Sequence, residues 1–447
     1  MSVYTRLCSS LVFPLHERLK QHDSVARRRA LEASQWWSPE RIEALRLERL
    51  RAFLSDIGAR VPYYRKLFAE LDFRPGELRS LTELGRLPLL TKPLIRAHTD
   101  ALKAEDAGPL KRFNTGGSSG EPLVFFMGLD RISHDVAAKW RATRWWDVDI
   151  GDPELVVWGS PIELGAQDRV RLVRDKLLRS ELLPAFDMGN DALDRYIRHI
   201  QAVRPRMLFG YPSALSRIAA RARDTGQRLS DLGIKVVFVT SERLYDEQRA
   251  LIAAIYAAPV ANGYGGRDAG FIAHECPAGG MHLSAEDILV ELVDSEGRAV
   301  APGEPGEVVV THMATRDFPF VRYRTGDVAT LATTPCACGR GLPRLEAIEG
   351  RTTDFITAAD GTVMHGLALI YILRDLPGIR HFKIVQQSLT ETEVLIVPDA
   401  GFGAEQSAAI TQGFRARLGA GVRVQIREVD SIAPERSGKF RYVVSHV

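Results

Sequence analysis

Residues Asn114–Pro122 read NTGGSSGEP, and this stretch decides the fold when it is taken together with the motifs that follow it. Glycine allows backbone conformations in which successive N–H groups face one anion, and neighbouring hydroxyl groups add donors. The pattern predicts a phosphate-binding loop, whose candidate residues are Thr115, Gly116, Gly117, Ser118, Ser119 and Gly120. It is not a Walker loop, because no Gly-Lys-Ser/Thr sequence closes it. Taken alone, it is equally well explained as a mobile surface loop.

Four further motifs follow in order along the chain. They are NGYGGRD at Asn262–Asp268, YRTGD at Tyr323–Asp327, GRTTD at Gly350–Asp354 and RSGK at Arg436–Lys439. The first is not a dinucleotide-binding fingerprint, because Asp268 stands where the third glycine would fall. The motifs supply an aromatic ring beside an acid, a second carboxylate, a domain boundary and a lysine. Together with the loop, these are the groups needed to bind ATP and join its α-phosphate to a carboxylate.

The size and charge of the chain limit its class. A length of 447 residues predicts one large and one small domain. A net charge of +3 gives no reason to expect nucleic acid or an anionic membrane as the main partner. The sequence shows neither an apolar stretch near the ~20 residues that span a bilayer nor a signal peptide. Its four cysteines do not make a disulfide framework, so we expect a cytoplasmic protein that binds neither nucleic acid nor membrane.

Changes of periodicity predict where helices and strands lie. Residues 1 to about 70 read as helical: Ser38 and Pro39 mark the start of one helix, and Gly58 can end it. Between Phe113 and about Thr311, short apolar runs alternate with helical stretches, which is typical of α/β layers. The three clearest buried strands are Leu155–Trp158, Met207–Phe209 and Val236–Val239.

Later residues predict a change of architecture. Ser213 is a predicted cap for the helix after the second buried strand, and Ile288–Val293 opens a β-rich section. After Gly350 a second unit begins, with strands on both sides of a helix. The predicted fold class is therefore α/β. We expect a large layered α/β N-terminal domain with a β-rich subdomain over residues 1–350, plus a small mobile α+β C-terminal domain over residues 351–447.

The chain resembles the adenylate-forming enzymes, which include acyl- and aryl-CoA ligases, and it most resembles their phenylacetate-CoA ligase and CapK-like branch. The resemblance covers nearly the whole chain. Besides the motifs above, it rests on VPYYR at Val61–Arg65, LPLLTK at Leu87–Lys92, FGYPS at Phe209–Ser213, SER at Ser241–Arg243 and CACGR at Cys336–Arg340. The combination is specific for the superfamily and fairly specific for this branch.

The resemblance implies roles for the aromatic and acidic residues of these motifs. Tyr264 would stack on adenine, and Asp268 would hold the Mg²⁺ that bridges the phosphates. Asp268 stands where the family usually has glutamate, which shortens the acid by one methylene group. Asp327 would accept hydrogen bonds from both ribose hydroxyl groups, and Arg351 would face the ribose side of the nucleotide.

The resemblance also implies a catalytic lysine and a hinge. Lys439 would bridge the carboxylate and the α-phosphate in the transition state, where negative charge builds on oxygen. Thr353 and Asp354 would form the hinge, although Thr353 replaces the acidic residue often found there. Glu121 is a further departure, because many relatives have lysine after the loop. The remaining candidate nucleotide-binding residues are Ser241, Glu242, Arg243 and Gly265.

Three of the four cysteines fall in two clusters that predict a structural zinc site. Cys276 precedes His282 by six positions, and Cys336 and Cys338 form a Cys-x-Cys pair. These four side chains could close a tetrahedral Cys₃His site, and a disulfide within Cys-x-Cys would be strained. His274 is an alternative nitrogen ligand. Three unrelated buried thiols are the simpler interpretation.

The resemblance implies a ligase that uses ATP, Mg²⁺ and coenzyme A. A carboxylic acid, aryl or of medium length, would become an acyl-adenylate and then a thioester. An amine or a carrier-protein thiol is an open alternative for the acceptor, and a non-catalytic nucleotide-binding protein is a rival of another class. Relatives of this branch often form dimers, so a homodimer is a candidate assembly.

The acid pocket is the least specific of these predictions. Its candidate residues are Tyr211, Gly263 and Gly265, and Trp158 and Phe238 are further apolar candidates. Packing in the hydrophobic core explains the three aromatic residues better than contact with a substrate.

Overall fold

A computed structural model describes residues 2–114, 123–158, 169–185, 188–351, 355–374, 376–433 and 441–447. The chain divides into two compact units. The first comprises Met1–Thr325 and Ala329–Ile348, and the second comprises Gly326–Val328 and Glu349–Val447.

The helices of the first unit precede the main sheet or connect its strands. They are α1 Val3–Leu7, α2 Phe13–Leu19, α3 Ser24–Ser34, α4 Pro39–Arg60, α5 Pro62–Glu70, α6 Lys92–Ala97, α7 Leu129–Arg144, α8 Arg169–Leu178, α9 Asn190–Val203, α10 Pro212–Asp224 and α11 Asp246–Tyr256. A π-helical turn, Cys8–Val12, joins α1 to α2. Short 3₁₀ turns cover Pro75–Glu77 and Leu81–Arg86. Among the described residues, no helix is both long and apolar enough to cross a membrane.

The predicted start of α4 is confirmed. The Ser38 side chain accepts a hydrogen bond from the Arg41 N–H, and Pro39 occupies the first turn, where its missing N–H costs nothing. Leu50 and Leu54, four positions apart and therefore on one face of the helix, are both buried. A local capping signal and a helical apolar spacing therefore agree with the tertiary packing.

The predicted end of α4 at Gly58 is wrong. The helix continues to Arg60, and Pro62 begins α5 after a short connection. A Cβ atom at Gly58 would lie 2.9 Å from the Phe68 ring. Gly58 is thus explained by the close approach of α5 to α4 and does not end the helix.

Strands of the first unit form a hairpin and one large sheet. They are β1 Lys111–Asn114, β2 Val124–Met127, β3 Glu154–Trp158, β4 Ser180–Pro184, β5 Met207–Gly210, β6 Val236–Thr240, β7 Val260–Gly266, β8 Gly270–Glu275, β9 Met281–Leu283, β10 Ile288–Val293, β11 Pro305–His312, β12 Tyr323–Leu331 and β13 Arg344–Arg351. β1 and β2 pair with each other. The other eleven described strands follow the order β10-β11-β12-β13-β9-β8-β7-β6-β5-β3-β4.

The sheet has a parallel half and an antiparallel half. β4, β3, β5, β6 and β7 are parallel, and β7, β8 and β9 continue as antiparallel neighbours. β6 is buried on both faces: Val237 and Val239 pack with α9–α11 in one core, and Val236 and Phe238 belong to another core with Ala142 of α7. Burial on both faces explains why these strands are apolar throughout and do not alternate with polar residues.

The second unit has its own sheet and core. Its strands are β14 Phe355–Thr357, β15 Val363–His365, β16 Ile379–Ser388, β17 Glu391–Pro398, β18 Arg423–Glu428 and β19 Val443–Ser445, and its helices are α12 Leu367–Arg374 and α13 Ala404–Leu418. The sheet order is β18-β17-β16-β19. Phe414 of α13 packs against Ile384 and Ile396. The predicted α/β class, with a small α+β C-terminal part, is confirmed.

Candidate active site and metal centre

The carboxyl ends of three neighbouring parallel strands bring three sequence motifs to one edge of the main sheet. Tyr211–Ser213 follows β5, Ser241–Arg243 follows β6, and Arg267 and Asp268 follow β7. β6 lies between β5 and β7, so the three segments are neighbours. Ligands of open α/β sheets bind outside the carboxyl ends of the strands. This edge is therefore the candidate active site.

A hydrogen bond joins the first two segments. The Ser213 N–H donates to Oε2 of Glu242 over 3.1 Å. The prediction that Ser213 caps the following helix is therefore wrong, because α10 begins at Pro212, with Tyr211 in the cap position. The neighbouring loop satisfies an N–H group in the first turn, which the helix itself leaves without a partner. A carboxylate at this helix end is also favoured by the helix dipole.

Ser241 makes the turn that directs Glu242 toward α10. Its φ of +71° lies in the left-handed region, which costs a non-glycine residue about 1 kcal/mol or more. Arg243, the third residue of this motif, lies with its guanidinium 5.4 Å from the centre of the Tyr245 ring. The segment Ser241–Arg243 is thus held by contacts of the two residues that follow the strained Ser241.

Asp268 is oriented by two neutral donors. The Tyr323 hydroxyl donates to Oδ2 over 2.6 Å, and the Ala269 N–H donates to Oδ1 over 3.1 Å. Neither donor neutralises the carboxylate, so its negative charge remains available to a cation. Carboxylate oxygens are ligands that Mg²⁺ prefers. The donor set at Asp268 therefore fits the predicted ion.

Glycine is required just before Asp268. A Cβ atom at Gly265 would lie 2.1 Å from the carbonyl oxygen of Gly270 on β8. The register of β7 and β8 also shifts between Tyr264 and Gly265. Such an irregularity re-aims the residues that follow it, and here those residues lead to Asp268.

Arg131 on α7 holds the backbone on either side of the Asp268 carboxylate, and the sequence reasoning missed it. Its Nη1 donates to the Asp268 carbonyl oxygen over 3.2 Å, and its Nη2 donates to the Arg267 carbonyl oxygen over 3.1 Å. Its Nε contacts both carboxylate oxygens of Asp135, at 3.1 and 3.0 Å. The side chain is 1% exposed. These contacts fix the loop in place. The loop needs such support because two glycines precede Arg267.

Two buried histidines surround the Arg131–Asp135 pair. His134 Nδ1 lies 3.6 Å and His312 Nε2 lies 3.9 Å from the Asp135 carboxylate. Burial would raise the pKa of Asp135, but Arg131 and the histidines hold it below its ordinary value. The Ala314 N–H donates to His312 Nδ1, which places the imidazole proton on Nε2. We assign no metal to this cluster, because Arg131 already neutralises Asp135 and His312 Nε2 is protonated.

Because His274 on β8 is buried, we expect the stability of the folded protein to depend on pH. His274 is buried between Phe271 and Phe238, and burial lowers its pKa to about 3. Burial likewise lowers the pKa of His312 to about 3. The unfolded chain therefore binds more protons. The stability that neutral histidines contribute is present above the ordinary pKa of about 6.5 and is lost as the pH falls toward 3.

We expect the free energy of unfolding to fall by about 1.4 kcal/mol per pH unit for each such histidine between pH 6 and 4. Urea unfolding across this range measures the slope. His274→Phe should reduce the slope. Equal slopes for the wild type and His274→Phe would contradict the assignment.

The predicted apolar pocket residues lie in packed aromatic clusters. Tyr211 stacks on Trp158 with 4.3 Å between ring centres, and both Tyr211 and Phe238 are buried. A Cβ atom at Gly263 would lie 2.8 Å from the Phe238 ring. Core packing accounts for these contacts, and contact with a substrate stays a prediction.

Four side chains form a compact cluster with metal-ligand geometry. Cys276, His282, Cys336 and Cys338 place their ligand atoms within 4.8 Å of one another. The Cys276 and Cys336 sulfur atoms are 3.7 Å apart, and His282 Nε2 lies 3.1 Å from the Cys338 sulfur. A Cβ atom at Gly280 would come within 2.5 Å of the Cys336 sulfur. The cluster joins the β8–β9 turn to the connection between β12 and β13.

The tautomer of His282 suits a metal ligand. Its Nδ1 lies 3.2 Å from the Leu342 carbonyl oxygen, so Nδ1 carries the proton and Nε2 faces the sulfur atoms. Burial lowers the pKa of His282 to about 4, which leaves the ring neutral at pH 7. A backbone acceptor that fixes the ligand ring is a common feature of metal sites. His274, the alternative ligand, packs against Phe271 and lies outside this cluster.

Comparisons with known proteins identify relatives across most of the chain. Residues 356–446 match a family model described as the CapK C-terminal domain. Protein CapK of Staphylococcus aureus is 22% identical over 409 residues, which cover 90% of this chain and 89% of that protein. Phenylacetate-coenzyme A ligase of Thermus thermophilus is 24% identical over 377 residues, covering 80% and 81%. These likenesses support the predicted resemblance to the CapK and phenylacetate-CoA ligase-like branch of the adenylate-forming enzymes.

Solved structures show the same fold. A 2-hydroxyisobutyryl-CoA ligase in the postadenylation state aligns with a TM-score of 0.74 and 22% identity, covering 92% of this chain and 91% of that one. ATP-bound MatB from Rhodopseudomonas palustris aligns with a TM-score of 0.53 and 16% identity, covering 74% and 66%. The predicted fold is thus confirmed, and the curated relatives indicate an AMP-forming, CoA-ligase-like enzyme.

The structure describes some of the other residues to which the family resemblance gives a role, and does not describe the rest. Tyr264 lies in β7 and is largely buried, Asp327 lies in β12, and Arg351 ends β13. The loop residues 115–120, the hinge residues Thr353 and Asp354, and Lys439 lie outside the described residues. The structure therefore brings together the predicted residues around β5–β7 and leaves those other roles as predictions.

Proposed function

We propose that this enzyme uses ATP to convert a carboxylic acid, aryl or of medium length, into an acyl-adenylate and then into a coenzyme A thioester. The observation that carries the proposal is the convergence of Tyr211–Ser213, Ser241–Arg243 and Asp268 at the carboxyl edge of the sheet. The likeness of the chain to phenylacetate-coenzyme A ligases supports the same chemistry. The identity of the acid rests on family likeness alone.

The proposed reaction has two steps. A carboxylate oxygen attacks the α-phosphorus of ATP, pyrophosphate leaves, and the acyl-adenylate forms. The thiol sulfur of coenzyme A then attacks the acyl carbon, AMP leaves, and the thiol proton passes to solvent or to the phosphate. Lys439 would offset the repulsion between the negatively charged carboxylate and α-phosphate oxygens in the first step.

The nucleotide would be bound by the residues to which the family resemblance gives these roles. The loop Thr115–Gly120 would contact the phosphates, Tyr264 the adenine, and Asp327 and Arg351 the ribose. Asp268 would hold Mg²⁺, which screens phosphate charge when it is bound. We further propose that residues 351–447 form a lid domain that turns about Thr353–Asp354 between the two steps.

The test is pyrophosphate release from ATP across a panel of aryl and alkyl acids, with and without coenzyme A. Turnover that requires both an acid and coenzyme A would support the proposal and define the acid class. A single burst that coenzyme A does not change would show adenylation with another acceptor. No release with any acid would contradict the proposed chemistry.

An amine or a carrier-protein thiol is the second candidate acceptor. The match of residues 356–446 to the CapK C-terminal domain, together with the likeness of the chain to protein CapK, favours keeping this candidate, because the segment contains the predicted catalytic Lys439. Adenylate formed in a burst should then be discharged by added hydroxylamine but not by coenzyme A. Discharge by coenzyme A would exclude this candidate as the main reaction.

We propose that Cys276, His282, Cys336 and Cys338 hold a structural zinc ion. The donor set is typical of closed zinc sites, and the His282 tautomer and the space above Gly280 suit it. Elemental analysis should find about one zinc per chain. Cys336→Ser should lower both the zinc content and the melting temperature, the latter by several degrees.

Cys8→Ser is the matched control for the zinc prediction. Cys8 is a buried thiol outside the cluster. Its replacement should leave the zinc content unchanged, whatever its effect on stability. Metal-free protein with an unchanged melting temperature would count against the site.

We propose that Arg131 is a positioning residue for Asp268. Its hydrogen bonds to the Arg267 and Asp268 carbonyl oxygens fix the loop that aims the carboxylate. Loss of residues that orient a metal ligand lowers metal affinity about 10- to 100-fold. Arg131→Met should therefore raise the Mg²⁺ concentration for half-maximal adenylation at least about tenfold. The acid KM should change little.

A double variant separates positioning from stability. Arg131→Met alone leaves Asp135 as a buried carboxylate without its main partner, which is strongly destabilising. Arg131→Met/Asp135→Leu removes both charges, so it should regain stability without regaining Mg²⁺ affinity. Arg141→Met on the same helix breaks a buried pair with Glu286 and should leave the Mg²⁺ requirement unchanged. Recovery of Mg²⁺ affinity in the double variant would reduce Arg131 to a structural role.

A further inference from the structure

The helical segment from Val3 to Leu19 exposes a line of large apolar side chains. Its members are Val3, Leu7, Leu11, Leu15 and Leu19, which we call the apolar stripe. Leu11 is 60% exposed and Leu19 is 77% exposed. Single exposed leucines are ordinary, but a contiguous exposed apolar patch marks an interaction site.

The geometry of the helix keeps the stripe on one side. An α-helix has about 3.6 residues per turn, so a four-residue spacing drifts around it. The π-helical turn Cys8–Val12 is wider and winds more slowly, which counteracts this drift. The opposite side of the segment is buried through Thr5, Phe13 and Glu17. The stripe therefore faces away from the protein.

Helix α8 extends the exposed apolar surface. The Tyr4 hydroxyl donates to the Leu177 carbonyl oxygen over 2.8 Å, which places the end of α8 beside α1. Val173 and Leu177 are themselves exposed. The patch thus has two helices side by side and is broader than a single row of leucines.

Among the described residues, most exposed charges beside this patch are positive, and Asp175 of α8 is paired with Arg174. The positive charges belong to Arg6, Arg18, Lys20, Lys176 and Arg179. Between Ser2 and Lys20 the sequence has a single acidic residue, Glu17, which is buried against His22 and Ser24. Burial, and then the charges of Arg174 and Lys111, lower the pKa of Lys20, while Glu17 and Asp175 oppose the shift. This surface combines apolar side chains with an excess of positive charge.

We propose that the apolar stripe docks onto the surface of an anionic phospholipid bilayer. The leucines would enter the interfacial region while the flanking arginines and lysines contact phosphate headgroups, as in interfacial amphipathic helices. Binding of this kind adds apolar burial to electrostatic attraction. It does not depend on the proposed ligase chemistry, and it revises the expectation that the protein has no membrane partner.

Charge argues against a second copy of the chain as the occupant. Two stripes packed together, in either direction, would bring Arg6, Arg18 and Lys20 of both copies close. The described segment has no exposed carboxylate to pair with them. Like charges across an interface disfavour association, whereas anionic headgroups would neutralise the same cations.

Vesicle sedimentation tests the proposal with the full chain. The protein should sediment with phosphatidylcholine vesicles that contain phosphatidylglycerol and not with phosphatidylcholine alone, and added salt should weaken the binding. Leu11→Glu/Leu15→Glu should lower the bound fraction at least about tenfold, and so should Arg18→Glu/Lys20→Glu. Leu71→Glu, at an exposed leucine on another surface, is the matched control and should bind as the wild type does.

Two results would overturn the proposal. One is equal sedimentation of the wild type and both double variants while their melting temperatures remain the same. The other is a dimer by light scattering that Leu11→Glu/Leu15→Glu dissociates, without any binding to anionic vesicles. The second result would assign the stripe to self-association.

Discussion

Lys439→Ala should lower the rate of acyl-adenylate formation by about 10³-fold, which is the loss seen when a preorganised charge is removed from a transition state. The carboxylate and the α-phosphate are both negatively charged and repel each other as they approach, and one ammonium group near both would offset that repulsion. Thioester formation from supplied acyl-adenylate should continue near the wild-type rate, because that step no longer requires the lysine. Both rates are measured in single-turnover assays with purified adenylate.

The pair of rates makes the Lys439 prediction specific. Equal loss of both half-reactions would contradict the idea that the lysine serves the first step alone. Lys383→Ala, in β16 of the same unit, is a control for the removal of a positive charge from this region. It should leave adenylation within about twofold of wild type, as surface substitutions generally do.

Asp268→Ala should lower Mg²⁺-dependent adenylation by about 10²- to 10³-fold. The substitution removes the carboxylate that Tyr323 and the Ala269 N–H orient. Asp268→Asn keeps the shape and an acceptor for Tyr323 but loses the charge, so it should be almost as inactive. The measurement is the adenylation rate over a range of Mg²⁺ concentrations.

Asp268→Glu is the informative control at this position. The family usually has glutamate there, so this variant should retain activity within about tenfold of wild type, with a changed Mg²⁺ optimum. Tyr323→Phe should have a smaller effect than Asp268→Ala, because it removes one orienting hydrogen bond, worth about 1 kcal/mol. An Asp268→Ala enzyme with an unchanged Mg²⁺ response would remove this residue from the metal site.

Local sequence patterns were sufficient for much of the fold. Val236–Val239 reads as a buried strand because both of its faces are covered, and the structure places it inside β6. The start of α4 was equally readable, because Ser38 and the first turn are neighbours in sequence. Such signals involve residues a few positions apart, where backbone geometry limits the possible partners.

The errors occurred where a distant residue replaced the local partner. Gly58 resembles a helix end, but Phe68 explains the missing side chain. Ser213 resembles a cap, but its N–H binds Glu242 from the next loop. In each case the residue type marks a constrained position of the backbone. The constraint comes from a contact with a residue on another element, which the local sequence does not encode.

The sequence by itself determined which chemical groups are candidates for the two sites: a glycine- and hydroxyl-rich loop and an acid after β7 for the active site, and three cysteines with a histidine for the metal centre. Only the tertiary structure decided how the acid, the cysteines and the histidine are oriented. Arg131 reaches Asp268 across 137 positions, and Tyr323 reaches it across 55. Neither contact leaves a periodic or motif-like signal, because a buried hydrogen bond depends on where two elements meet in space and not on their spacing along the chain.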